Sequence, residues 1–164
     1  MFKTSQIIGV LTGIVILGNT AYAEETPQAH DTLNLSPDTR ILLQAEMREL
    51  AVAGQAMVIS YVSGDWKSIQ HISEQIRASY VMERSLTDAQ KQELADKLPE
   101  RFKRLDAEFH ARADKLGSAA ASADSELVAF HYLRLLESCA TCHSEYAASR
   151  FPGFSSLETD VHQH

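Results

Sequence analysis

The only two cysteines of the 164-residue chain stand close to its C-terminus, in the pentapeptide Cys139-Ala140-Thr141-Cys142-His143. C-x-x-C-H is the pattern of covalent haem attachment. Each thiol can add to one vinyl group of a porphyrin, and the histidine directly after the second cysteine can bring an imidazole nitrogen to the iron. In a helix the two thiols fall at i and i+3 on one face, with His143 beside them. Two other chemistries use the same cysteine spacing. A redox disulfide sits at the start of a helix after a strand, within an alternating β/α pattern, and no strand pattern precedes Cys139. A zinc site needs a second pair of ligands, and the only close pair, His162 and His164, lies in a polar tail. Covalent haem is therefore the expected chemistry, with Cys139 and Cys142 as the anchors and His143 as the axial ligand.

The N-terminus fits that chemistry. Lys3 precedes an apolar stretch over residues 7–18, and Ala21-Tyr22-Ala23 supplies small residues around a cleavable bond. This predicts a Sec-type signal peptide over residues 1–23, its apolar stretch shorter than the roughly 20 residues that span a bilayer. The expected location is the periplasm, with no membrane insertion after cleavage. Without Lys3 the mature chain carries 14 basic against 22 acidic side chains, a net charge of about −8. Such a surface disfavours nucleic acid and anionic membranes and suits basic patches on partner proteins.

Four helical segments are expected to position the motif. Residues 24–35 read as a disordered leader. Ser36, Pro37 and Asp38 are N-cap, first-turn and dipole signals, opening a helix in which Leu43, Met47, Leu50, Gly54, Met57 and Tyr61 form one apolar stripe flanked by Gln44, Glu46, Arg48 and Glu49. Ser63-Gly64 ends it. Asp65 caps a second helix with a stripe of Ile69, Ile72, Ile76 and Tyr80. Thr87 and Gln90 form a capping box for a short helix closing near Leu98. A third long helix follows Pro99, with Phe102, Leu105, Phe109 and Leu116 on one side and Gly117 as its C-cap. Asp124 caps the last helix, expected to run to about Ser149, with Val128, Tyr132, Leu135, Cys139, Cys142 and Tyr146 on one face. Pro152 and Gly153 end it, and residues 152–164 read as a polar tail. No segment alternates with period two, so the fold class expected is all-α, an antiparallel four-helix bundle over residues 36–151.

On these features the chain resembles the class II c-type cytochromes, the family of cytochrome c′ and cytochrome c-556. C-x-x-C-H in the last helix, an exported chain with four helical segments, a methionine-bearing first helix and Tyr146 three residues after His143 carry the resemblance. It implies one haem c lying along the last helix, with a side chain of the first helix facing the open side of the iron. By position Met47 resembles the methionine that ligates iron in six-coordinate members, although a methionine on an apolar stripe is equally a core residue. Met57 and His110, the latter one turn from Asp106, are further candidates. The family's cationic residue after the aromatic is absent, Ala147 standing there.

The resemblance implies a one-electron carrier working with redox partner proteins and not an enzyme, since no acid/base pair for peroxidase chemistry is evident. The alternative is a five-coordinate, cytochrome c′-like protein that binds nitric oxide or carbon monoxide. Pairing into a homodimer is a further family trait.

Overall fold

The computed structural model describes residues 33–155, and within them the chain is all-α. The order is α1 (Pro37–Ser63), α2 (Trp66–Arg77), α3 (Met82–Ser85), α4 (Asp88–Lys97), α5 (Glu100–Ala121), α6 (Ser125–Tyr146), a 3-10 turn (Ala148–Arg150) and α7 (Pro152–Ser155). The segments expected to be the signal peptide and most of the leader, and residues 156–164 of the expected tail, lie outside the described residues. Among the described residues no helix is long and apolar enough to cross a membrane.

The caps expected at Ser36, Gly64, Asp65, Thr87 and Asp124 fall where the sequence puts them. Ser36 Oγ accepts the Thr39 N–H, and Pro37 opens α1. Gly64, at φ 69°, takes the left-handed turn that closes α1, and Asp65 N–H donates back to the Ser60 carbonyl at 2.8 Å. Asp65 then caps α2 by accepting the Ser68 N–H at 3.1 Å. Two residues of turn make α1 and α2 antiparallel neighbours. Thr87 and Gln90 form the expected capping box, and Asp124 accepts the Leu127 N–H at 3.0 Å.

The elements between the caps differ in five places. Residues 33–35, expected in the disordered leader, pack on the fold: Leu35 is buried, and the Arg40 guanidinium donates to the carbonyls of Leu33 and Leu35. Glu46 belongs to no solvated flank. It is buried, and its carboxylate accepts the N–H groups of Tyr80, Val81 and Met82 at 2.9, 2.5 and 3.1 Å. Those bonds explain why α2 stops at Arg77 short of Tyr80: the chain reverses through Ser79, at φ 57°, to present three amides to one buried acceptor. Gly117 is not a C-cap but an interior residue of α5. A Cβ there would stand 3.2 Å from the Ser73 Cβ, so the glycine permits α5 to lie close against α2. The helix ends instead at Ser122 and Ala123, the latter at φ 54°. Finally, α6 stops at Tyr146, and the segment after it coils into the 3-10 turn and α7.

The packing is pairwise antiparallel. Ser73 meets Gly117, and Arg77 pairs with Asp114 at 3.7 Å, between α2 and α5. Arg101 forks onto Glu145, and Phe102 packs edge-on against Tyr146 at 5.2 Å, between α5 and α6. The core runs through Ala53, Met57, Ile69, Ile76, Leu116, Val128 and Leu135. On α1 the buried face is Thr39, Glu46, Ala53, Met57 and Ser60, turned from the expected stripe so that Met47 lies 40% exposed while Met57 is 1% exposed.

Candidate functional site at the end of α6

Cys139, Cys142 and His143 occupy the last two turns of α6, all three half-buried, with both thiols free. Burial pushes the Cys139 thiol up, and it pushes Cys142 to about 11, helped by the nearby carboxylates of Asp106 and Glu145. Both cysteines are therefore protonated at neutral pH. A C-x-x-C that exchanges disulfides needs the reverse, a thiolate stabilised by a helix N-terminus or a cation. Among the described residues no group of three or more His, Cys, Asp or Glu side chains gathers to hold a metal ion, and His162 and His164 lie outside them. Burial also lowers the pKa of His143, which favours the neutral imidazole that binds metals.

Register between α1 and α6 locates the surroundings of the motif. Tyr61 Oη donates to the Ser125 carbonyl at 3.3 Å, and Tyr132 Oη donates to the Gly54 carbonyl at 2.8 Å. Seven residues separate the two contacts on each helix, in opposite directions. Two further turns toward the motif bring Met47 level with Cys139 and put it on the same flank of α1 as Gly54 and Tyr61. On the α6 side this level is bordered by Leu133 and Leu136, 61% and 40% exposed. A Cβ on Gly54 would meet nothing within 4 Å, although its carbonyl is held by Tyr132.

The other sequence candidates lie elsewhere. Met57 is sealed in the core with Ile69, Leu116 and Val128. His110 is committed to the fold: its Nδ1 pairs with the Ile76 carbonyl at 2.9 Å and its Nε2 faces Asp106 at 3.6 Å, contacts that raise its pKa. It braces the end of α2, where a cation complements the helix dipole. Tyr146 is buried and packs edge-on against Phe102. Phe151 lies on His143, its ring stacked on the imidazole at 4.4 Å and 11°. Nothing in the helical periodicity marked Phe151, because it reaches His143 only after the chain turns back beyond α6.

The thiols are free and protonated, unlike those of an exchanging disulfide, and among the described residues no further ligands gather beside them as a zinc site would need. No protein-family model matches the chain, and no curated protein or solved structure is significantly similar to it.

Proposed function

We propose that the chain is an exported c-type cytochrome of the class II kind, a one-electron carrier of the periplasm. In this reading α1, α2, α5 and α6 form an antiparallel four-helix bundle, and one haem c is bound through thioethers to Cys139 and Cys142. His143 ligates the iron, and Met47 supplies the sixth ligand. The observation that supports the reading is the C-x-x-C-H motif at the end of α6, with Leu133 and Leu136 of α6 and Met47 of α1 left exposed.

When bound, the haem supplies a ferric/ferrous couple. The chain's residues tune it. Neutral His143 offers a nitrogen lone pair at the end of a rigid helix. The Met47 thioether, a soft donor, favours ferrous iron. Covered by a bound haem, Leu133 and Leu136 would shed their water, and the drier surroundings would raise the potential further by disfavouring the more highly charged ferric state. The fork of Arg101 onto Glu145 and the packing of Phe102 on Tyr146 hold the motif against α5, so little reorganises when an electron arrives. The acidic surface orients the carrier toward basic faces of redox partners and makes association salt-dependent.

Absorption spectra of the purified ferric and ferrous protein, with and without carbon monoxide, test this reading. A low-spin ferric spectrum with the weak near-red band of methionine ligation is expected, and Met47→Ala should convert it to a high-spin form that binds carbon monoxide. A wild-type protein already high-spin and open to carbon monoxide would remove Met47 as ligand and put gas binding in place of electron transfer.

A further inference from the structure

Resting on that haem-protein reading, we propose that Phe151 is the positioning residue for the axial imidazole, fixing the rotation of His143 and closing its side of the pocket. A metal-bound histidine is ordinarily oriented by a hydrogen bond from its second ring nitrogen to a carbonyl or carboxylate. His110 in this chain is held in that way, by the Ile76 carbonyl and Asp106. His143 is not: among the described residues no hydrogen bond holds either ring nitrogen, and its ring contact is the stack with Phe151, at 4.4 Å between centroids and 11° between planes.

A face stack suits a ligand. The lone pair of the unprotonated nitrogen and the N–H of the other both lie in the plane of the imidazole, so a ring on its face restricts rotation and leaves the nitrogens accessible. The segment after α6 is built to deliver that ring. Ala147 leaves helical geometry at φ −147°, Arg150 N–H and Phe151 N–H donate to the carbonyls of Ala147 and Ala148, and Phe154 N–H donates to the Phe151 carbonyl at 3.0 Å. Phe154 stands edge-on to Phe151 at 6.4 Å. Phe151 remains 42% exposed, so it lies between the imidazole and solvent.

The test uses the holo-protein and three variants. Phe151→Leu should change the order of the four haem-methyl resonances in the proton NMR spectrum of the ferric form, which reports the plane of the axial imidazole. It should also lower the midpoint potential, because water then reaches the iron's histidine side. Phe151→Tyr keeps the stack and should restore both. Phe154→Leu loosens the same segment without touching His143 and should change neither. Phe151→Leu with the wild-type methyl order and potential overturns the inference, as does a Phe154→Leu protein with the same changes as Phe151→Leu. Haem that can be extracted from denatured wild-type protein defeats the cytochrome reading itself, and the role of Phe151 with it.

Discussion

The two ends of the α1–α6 seam are made from similar residues and behave oppositely. At one end Tyr61 and Tyr132 tie the helices together through carbonyls of the facing helix, and Met57 is enclosed between Ile69, Leu116 and Val128. Seven residues further along each helix lie Met47 and Cys139, and there Met47 of α1 and Leu133 and Leu136 of α6 are exposed. The closed end has small neighbours, Ala53 and the alanines of α5, which let side chains interdigitate. The open end keeps its apolar groups on the rims. Two methionines ten residues apart on one helix thus differ in burial: Met57 fills the core, while Met47 lies on the surface, where the proposed haem would cover it.

The largest effect that can break this comparison is at the motif. Cys139→Ala with Cys142→Ala should abolish covalent haem, measured as haem retained after denaturation and acid-acetone extraction, while a chain that still holds its haem would remove the open end's purpose. Next come the methionines. Met57→Ala should cost about 2–5 kcal/mol of stability, as a buried methionine truncated in a packed core does, and leave the iron's spin state unchanged. Met47→Ala should alter the spectrum as described above yet change the stability of the polypeptide packing little. Equal destabilisation by the two would erase the distinction between filler and ligand.

Smaller effects sharpen it. Tyr132→Phe removes one hydrogen bond across the closed end and should cost about 0.5–1.5 kcal/mol in chemical denaturation, without moving the absorption spectrum. The smallest effect lies at the far tie of α1, where Glu93 of α4 accepts from Thr39 Oγ1 at 2.6 Å and from Ser36 N and Oγ at 2.7 Å each. The Thr39 hydroxyl, then Lys97 and Ser36, draw its pKa down to about 2. A carboxylate depressed on folding adds stability that is complete above its ordinary value near 4.5 and is lost as pH falls toward about 2. Melting temperatures taken across that window should fall less steeply for Glu93→Gln than for the wild type; identical slopes would show that this tie is electrostatically idle.

What the sequence determined by itself was local. Ser36, Gly64, Asp65, the Thr87–Gln90 box and Asp124 act within three or four residues of themselves, so the helix starts and the turn after α1 were legible in the chain. The thiol pair with its histidine was equally legible, because its spacing is a property of five consecutive residues. Tertiary structure decided the rest. Glu46 looked like one more charge on a helix flank until three amides of a distant turn reached it. Gly117 looked like a helix end until Ser73 approached it. The exposure of Met47, the burial of Met57 and the stack of Phe151 on His143 depend on how helices lie across one another and where the chain folds back. Periodicity along one helix assigns a residue to a face, but only the neighbouring helix determines whether that face is covered.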